Sequence, residues 1–444
     1  MRINKLASIG TPLHILISFA TALVLSASPA NGQTATPQKI TLKEAAALVL
    51  KNNRTVQMAE IGVARSTAEY AQARSIFRPQ VLLGSGLAYS KGFPLSIEGA
   101  APSIFQVNAS QALFDQSLRN MERQAGAARD SANNSLADQR DLALVETVLV
   151  YLDLDRSRRS LAHVREQARG AETTASLIDE RVSAGLDTPL EAAKGRLAAA
   201  RARSAVKTLE NSIALLEFSL RDLTGIPQSE SIETIAPELN LLADVSEVAA
   251  FSELALARSP ALAALDDDVR SREFAVRSEK ASRWPRVNLV GQYALFSKHN
   301  NYEDYFQRFE RNNITIGASI VVPLYERESF NARMSKAEAE LRAAQNLRDS
   351  ARAGIMQQVR ALTATISQQL DAREVAQLEL EVARKTLDSI LAQYEEGRVN
   401  RLVVEQSRIE ENHAWVNLFD VEYQAERSKI ELLKLTGELQ ATLL

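Results

Sequence analysis

The chain has 444 residues, with 52 lysines and arginines against 55 aspartates and glutamates, and it contains no cysteine. Without cysteine it has no disulfide, no thiol nucleophile, no thiolate metal site and no lipid-modified N-terminal cysteine. A net charge of -3 provides no general attraction to polynucleotides, so we expect no nucleic acid partner. The length is that of two or three average domains.

The first thirty residues have the features of a secretory signal peptide. Arg2 and Lys5 precede an apolar stretch at 13–25, and small residues continue to Ala30. An uncleaved membrane anchor is the alternative, but the apolar stretch is shorter than the ~20 residues that cross a bilayer. We therefore predict a cleaved signal peptide over 1–30 and export of the remaining chain.

The second half of the remaining chain repeats landmarks of the first half. Pro79 has a counterpart in Pro285, and Leu223-Thr224-Gly225 has one in Leu435-Thr436-Gly437. Landmarks that recur in the same order about 210 residues later indicate an internal duplication. The predicted organisation is a first structural repeat at 31–225, a linker or equatorial segment at 226–245, and a second structural repeat at 246–444.

Long helices are predicted in two stretches without proline, 103–188 and 324–444, because a proline inside a helix costs ~3 kcal/mol. Apolar residues recur there at three- and four-residue spacing, which is typical of a helix with one apolar stripe. Each repeat is predicted to run helix, strand, strand, long helix, shorter helix. The predicted helices are 41–77, 116–184 and 188–224, then 247–283, 327–396 and 400–437.

Four segments between the helices are predicted as β-strands, and 103–114, 287–295 and 313–322 have the alternating polarity of a strand. In the fourth, 80–90, Leu82 and Leu83 are adjacent and interrupt the alternation. About ten residues is the length of a tilted membrane-spanning strand. An open four-stranded sheet would leave unpaired backbone groups in lipid, and closed barrels begin at about eight strands. The strands therefore belong either to a barrel shared between chains or to two amphipathic hairpins packed on the helices. A helix of about 100 Å at 116–184 favours the barrel, because a hairpin needs no such support.

Taken in order, these features resemble the TolC-type outer membrane efflux protein family over residues 40–440. The resemblance also rests on Leu113-Phe114-Asp115 and Leu324-Tyr325-Glu326, which follow the second strand of each repeat. It implies a mainly α fold with a small β part, in which the long helical hairpins of a homotrimer form an α-barrel. Four strands per chain would contribute to a shared 12-stranded transmembrane β-barrel in outer membrane lipid.

The resemblance further implies a passive export channel-tunnel, which is not an enzyme and needs no cofactor. Its implied partners are a periplasmic adaptor (membrane fusion) protein and an inner-membrane transporter. The cargo stays open between drugs, small molecules, ions and secreted polypeptide. The alternative function is that of a soluble periplasmic coiled-coil adaptor or scaffold protein.

Functional residues carried over from the family lie at the two helix-to-helix turns. The adaptor-docking positions are Val182, Gly185, Leu186, Thr188, Gly397 and Arg398, and the periplasmic entrance positions are Tyr394, Arg401 and Glu405. Tyr394 matches a family tyrosine that helps to latch the closed entrance. The acidic pair that narrows the entrance in better-known members falls on Val403 and Gln406, so an acidic ring is not carried over. We expect Glu405 and Glu410 to be solvated surface charges.

The remaining polar residues indicate neither a catalytic nor a metal site. His163, His299 and His413 lie on separate predicted elements, and the sequence contains no HExxH or GxSxG motif. We therefore expect dispersed surface histidines. The run Asp266-Asp267-Asp268 is followed by arginines, so it is predicted to lie on an exposed helical face.

Overall fold

The structure is a computed structural model that describes residues 38–86, 103–235, 248–296, 310, 312–324 and 327–443. The predicted signal peptide and residues 87–90 of the first predicted strand lie outside them. In chain order the elements are β1 Gln38–Ile40, α1 Leu42–Asn52, α2 Arg54–Ser75, β2 Gln80–Gly86, β3 Ser103–Phe114, α3 Gln116–Ser183, α4 Pro189–Thr224, β4 Ile232–Thr234, α5 Val248–Arg258, α6 Pro260–Ala281, β5 Arg286–Phe296, β6 Asn312–Val321, α7 Arg327–Glu395, α8 Arg401–Leu435 and α9 Leu439–Leu443. The described chain is mainly helical with few strands, which confirms that part of the predicted fold class.

The first helix of each repeat was predicted as one helix, 41–77 and 247–283, and both predictions are wrong because each helix is broken near its start. Asn53 has an extended backbone, and its side chain accepts hydrogen bonds from two backbone N–H groups of the next turn, at 2.8 and 3.3 Å. In the second repeat, Ser259 caps α6 with its side chain. Ser259 also precedes Pro260, and a following proline disfavours a helical conformation. The two breaks separate α1 from α2 and α5 from α6.

The two long helices, α3 and α7, contain 68 and 69 residues and are each about 100 Å long. The N-terminal half of α3 packs against α2 and α6, and its C-terminal half packs against α4 and α8. α7 packs against α5 and α6 and then against α8. Within the described residues no single helix has both the length and the hydropathy of a membrane span. The pair α5 and α6 has both when the two helices are taken together, with a bend of 47° between them.

The larger sheet has four antiparallel strands in the order β2-β3-β5-β6. The register places Asn108 of β3 opposite Leu82 of β2 on one side and opposite Gln292 of β5 on the other, and Val290 of β5 opposite Gly317 of β6. β3 and β5 are the central strands. Among the described residues β2 and β6 each have one neighbouring strand, so the sheet is open at both edges.

The main hydrophobic core lies where α1, α3, α4, α8 and α9 meet, and Tyr151 of α3 is its largest fully buried side chain. β1 and β4 pair in parallel beside it. The Tyr151 hydroxyl accepts a hydrogen bond from the backbone N–H of Ile235 at 2.9 Å and lies 2.8 Å from the carbonyl oxygen of Ile40. Tyr151 therefore ties the N-terminal segment and the segment after α4 to the middle of α3.

Candidate functional site

The two helix-to-helix turns have the same backbone geometry. Gly185, between α3 and α4, has φ +73°, and Gly397, between α7 and α8, has φ +70°. The backbone N–H groups of Leu186 and Arg398 each donate to the carbonyl five residues earlier at 2.8 Å, which ends each long helix in a left-handed cap. No neighbouring atom lies within 4 Å of the Cβ position at either glycine. The backbone conformation, and not lack of space, therefore favours glycine at both turns.

The helix that follows each turn begins at a side-chain cap. Thr188 accepts a hydrogen bond from the backbone N–H of Glu191 at 3.3 Å, and Asn400 accepts one from that of Val403 at 3.2 Å. Pro189 occupies the first position of α4, where its fixed φ suits the helix. Each turn therefore consists of a left-handed cap that ends one helix and, three residues later, an N-cap that begins the next.

The first turn exposes apolar side chains beside a compact ion pair. Leu186 is 66% exposed, Leu190 is similarly exposed, and Val182 is half-buried. Arg181 Nε lies 2.6 Å from Asp187 Oδ2, and this hydrogen bond raises the pKa of Arg181. The ion pair offsets the charges of Arg181 and Asp187, and the two leucines are the exposed large apolar side chains of this turn.

The second turn is charged where the first turn is apolar. Arg398, at the position that Leu186 occupies in the first turn, pairs with Glu396 at 3.0 Å. Arg401 is exposed at the start of α8, and Tyr394 is exposed in the last turn of α7. Within the described residues the Tyr394 side chain makes no hydrogen bond or ring contact. The two turns therefore share a backbone and differ in surface chemistry.

Glu405 is buried, with 7% of its surface exposed, so the expectation of a solvated surface charge is wrong for this residue. Its Oε1 lies 3.7 Å from Arg401 Nε and 3.9 Å from Arg408 Nη1 on the same helix. Its Oε2 packs against α3 at Gly170, where a Cβ would lie 3.6 Å away. The structure thus brings Arg401 and Glu405 together at the helix interface, while Glu410 is exposed as expected.

His163 also differs from its predicted surface position. Its ring stacks on Trp415 of α8 with 5.3 Å between ring centres, and its Nδ1 lies 2.8 Å from Asn412 Oδ1. The half-buried histidine therefore helps to join α3 to α8. His413 is exposed as expected, and His299 lies outside the described residues.

Asp267 is buried, so the prediction of an exposed acidic run is wrong at its central residue. It accepts a hydrogen bond from Asn134 Nδ2 of α3 at 2.8 Å and pairs with Arg270 at 2.9 Å. These contacts join α6 to α3. Across the part of the chain that the structure describes, no group of three or more His, Asp or Glu side chains is placed to hold a metal ion.

A charged cavity of about 330 Å³ between α3, α7 and α8 was not predicted from the sequence. Arg156 of α3 lies 2.6 Å from Asp153 on its own helix and also pairs with Asp420 of α8. Arg373 of α7 lies 3.7 Å from Glu422 of α8. Arg156 and Asp420 are 264 residues apart in the chain, so no local pattern could have indicated this network.

Comparison with known proteins identifies the family. Residues 45–226 and 251–438 match the profile of the outer membrane efflux protein family. The chain belongs to that family. This efflux protein is 23% identical to the outer membrane efflux protein BepC of Brucella suis over 442 residues, which are 95% of this chain and 90% of BepC. It is 25% identical to the protein CyaE of Bordetella pertussis over 319 residues, which are 70% of this chain and 66% of CyaE.

The fold of the efflux protein is similar to that of CusC, whose crystal structures concern transmembrane channel formation. The TM-score is 0.73 at 17% sequence identity, and the match covers 93% of this chain and 95% of CusC. The efflux protein is therefore an outer membrane export channel and not an enzyme. An outer membrane location argues against the alternative of a soluble periplasmic adaptor.

Proposed function

We propose that three copies of the efflux protein form one continuous channel-tunnel, which conducts substrates passively from the periplasm to the exterior. The strands of the three copies close a 12-stranded barrel in the outer membrane, and the long helical hairpins close an α-barrel in the periplasm. The tunnel docks to a periplasmic adaptor and an inner-membrane transporter, and the cargo depends on that transporter. The observation that carries the proposal is that, among the residues that the structure describes, the sheet and the helix layer of one chain are each open at two edges.

The edges of the sheet support closure by further copies. Unpaired backbone groups on β2 and β6 would be costly in lipid. The edge strands also expose apolar side chains, with Leu83 of β2 at 74% and Ile316 of β6 at 78% exposure. If β6 of one copy pairs with β2 of the next, no edge remains, and three copies exceed the minimum of about eight strands.

The edges of the helix layer support the same arrangement. α3 and α8 have neighbours on both sides, whereas α4 and α7 lie at the two ends of the layer. Leu215 and Phe218 of α4 are exposed, and so are Val375 and Val382 of α7. Packing α4 of one copy against α7 of the next would remove this apolar surface from water, at ~25 cal/mol per Å².

The adaptor-docking surface in this proposal consists of the two turns, at Val182, Gly185, Leu186, Thr188, Gly397 and Arg398. Their fixed backbones and exposed side chains support a docking role, because a preorganised surface loses little conformational entropy on binding. The leucines of the first turn would enter an apolar groove of the adaptor. The second turn would make charged contacts.

We assign Tyr394, Arg401 and Glu405 to the periplasmic entrance of the tunnel. The Arg401–Glu405 pair and the contact of Glu405 with α3 support a role in holding α8 against its neighbour near the entrance. Tyr394 is exposed and unpaired in the described chain, so a latch would need a partner from another copy.

The proposed chain organisation is a signal peptide at 1–30 and two structural repeats at 31–225 and 246–444, joined by a linker or equatorial segment at 226–245. The equal lengths of corresponding helices support a duplication. α1 and α5 contain 11 residues each, and α2 and α6 contain 22 residues each.

Site-directed crosslinking tests the docking arrangement, since the chain has no cysteine and any introduced one is unique. We expect L186C, carrying a photoactivated crosslinker, to form a product with an adaptor protein in cells of the native host. The control I61C places an equally accessible cysteine on α2, away from the turns, and should give no such product. Adaptor products from both variants, or from neither, would contradict docking at the turns.

Conductance tests the channel itself. The purified protein should insert into planar bilayers and give discrete conductance steps without any energy source. A protein that associates with the bilayer and never conducts would contradict the proposal of a passive channel-tunnel.

A further inference from the structure

The junction between helices and strands in the first repeat gathers four arginines. Arg74 and Arg78 lie at the end of α2, Arg119 and Arg123 lie near the start of α3, and all four line one surface depression of about 610 Å³. We propose that this depression binds the headgroup of an anionic phospholipid in the periplasmic leaflet of the outer membrane. The inference rests on the proposed function, in which the strands beyond the junction span that membrane.

The charge of the depression is unbalanced. None of its four guanidinium groups has a hydrogen bond or an ion pair in the part of the chain that the structure describes, and one carboxylate, Glu122, lines it. Further along α3 the arginines are paired, Arg129 with Asp130 at 2.6 Å and Arg140 with Glu60 at 2.9 Å. Arginines bind phosphate oxygens with paired N–H donors, so the depression suits a phosphate-bearing anion.

Apolar side chains beside the arginines favour a lipid over a dissolved phosphate. Leu113 lines the depression and is exposed, as is Phe114, which follows it. On the neighbouring strand β2, Val81 and Leu83, which are two residues apart and so lie on one face of the sheet, are exposed as well. A dissolved phosphate would gain nothing from this surface, whereas a phospholipid would place its acyl chains on it and its headgroup on the arginines.

The equivalent junction of the second repeat has the same combination of groups. Arg283 and Arg327 line a depression of about 350 Å³ together with Leu324, which is 92% exposed. The Arg283 guanidinium lies 3.8 Å from the ring centre of Phe330, and Trp284 is exposed beside it. Aromatic rings and arginines at one level are typical of a membrane–water interface. Their recurrence is expected if both junctions face the same leaflet.

Native mass spectrometry of the detergent-solubilised full chain, titrated with phosphatidylglycerol or with phosphatidylcholine of the same acyl chains, tests the site. We expect the wild-type protein to bind phosphatidylglycerol at least tenfold more tightly than phosphatidylcholine, and R119Q/R123Q to lose that preference. R201Q/K207Q removes the same charge from α4, where both residues are unpaired in the described chain, and should keep the preference. R119K/R123K should keep only part of it, because the positive charge is retained and the paired N–H donors are lost.

Equal affinity of the wild-type protein for the two lipids, or an unchanged preference in R119Q/R123Q, would overturn the inference. Displacement of phosphatidylglycerol by an equal concentration of inorganic phosphate would also overturn it, because the site would then recognise phosphate without the lipid. Far-UV circular dichroism of each variant shows whether a lost lipid preference reflects a lost fold. If R119Q/R123Q does not fold, the lipid preference of R119K/R123K is compared with that of the wild-type protein instead.

Trp284 distinguishes failure of this inference from failure of the proposed function. The chain has two tryptophans, so W415F leaves Trp284 as the only one. Vesicles of phosphatidylcholine with brominated acyl chains should quench its fluorescence if the junction lies at the membrane. Quenching without a preference for phosphatidylglycerol would overturn the headgroup site and leave the channel proposal standing. Absence of quenching would overturn both.

Discussion

Glycines in the left-handed conformation follow α3, α4, α7 and α8, yet they differ in their surroundings. At Gly225, which follows α4, an added Cβ would lie 2.8 Å from the Cβ of Asn52, whose amide donates to the Thr224 carbonyl at 2.7 Å. At Gly185 the φ angle is almost the same, and no neighbouring atom lies within 4 Å of the Cβ position. The conformation is therefore the shared requirement, and close packing is an additional one at Gly225.

We expect G225A to lower the thermal midpoint of helix unfolding, followed by circular dichroism in detergent, more than G185A does. Both variants place alanine in a left-handed conformation at a cost of ~1–2 kcal/mol. G225A alone adds the overlap with Asn52, and overpacking of this kind costs ~1–3 kcal/mol. Equal midpoints for the two variants would contradict the close approach at Gly225.

Tyr151 gives the core a pH dependence in the alkaline range. Burial raises the pKa of its phenol from 10.0 to about 12. The folded state therefore holds the phenol proton more tightly than the unfolded state. The protonated phenol thus contributes to the free energy of unfolding in full below pH 10, and this contribution is lost as the pH rises towards 12. We expect the free energy of unfolding to fall by about 1 kcal/mol between pH 9 and pH 11 through this group.

The variant Y151F tests that assignment in denaturant unfolding at pH 7, 9 and 11. It should be less stable than the wild-type protein at pH 7 by ~1–3 kcal/mol, since the Ile235 N–H loses its 2.9 Å bond to the hydroxyl and keeps only the longer one, 3.4 Å, to the Ile40 carbonyl. The free energy of unfolding of Y151F should also fall less between pH 9 and pH 11 than that of the wild-type protein. An equal fall in both proteins would mean that other groups cause the alkaline loss.

At the residue scale, the left-handed glycines after the helices are predictable from the sequence, whereas the buried charges were predicted wrongly. Glycine after a helix has a local conformational cause, so its neighbours in sequence are enough to predict it. Glu405, Asp267 and His163 are instead placed by contacts with residues on other helices. No local pattern carries that information.

The helix breaks at Asn53 and Ser259 occupy corresponding places in the two halves of the chain. Substitution of the two capping residues is nevertheless expected to lower the free energy of unfolding by different amounts. Asn53 accepts two backbone hydrogen bonds, the shorter at 2.8 Å, whereas Ser259 accepts one at 3.4 Å. We expect N53A to reduce the free energy of unfolding by about 1–2 kcal/mol and S259A to reduce it less. Denaturant unfolding followed by circular dichroism measures both, and a larger loss in S259A would contradict the assignment of the caps.

Element boundaries were predictable where a long periodic pattern had a clear end. The third helix was predicted at 116–184 and is observed at Gln116–Ser183, and the strand predicted at 103–114 is observed there. β1 and β4 were missed, because strands of three residues are too short to show alternation. Asn53 and Ser259 are recognisable as caps afterwards, but the helical pattern continues across them.

The open edges of one chain make a prediction about the whole assembly. We expect L215E/F218E, on the exposed face of α4, to convert the detergent-solubilised protein from trimer to monomer, because the charges would be buried against α7 of the next copy. The matched control L186E places a charge on an equally exposed leucine at the first turn and should leave the trimer intact. Size-exclusion chromatography with light scattering measures both. Loss of the trimer in L186E as well would show that the effect is not specific to the α4 edge.

The proposed twelve-stranded barrel fixes the number of chains at three, because each chain contributes four strands, and native mass spectrometry of the unmodified, detergent-extracted protein measures that number directly. A barrel in which β6 of each copy pairs with β2 of the next, closed at twelve strands, requires three chains. We expect a single species with three times the mass of the mature chain. A single chain that conducts in planar bilayers would contradict the shared barrel, and a conducting species of two chains would contradict the twelve-stranded one.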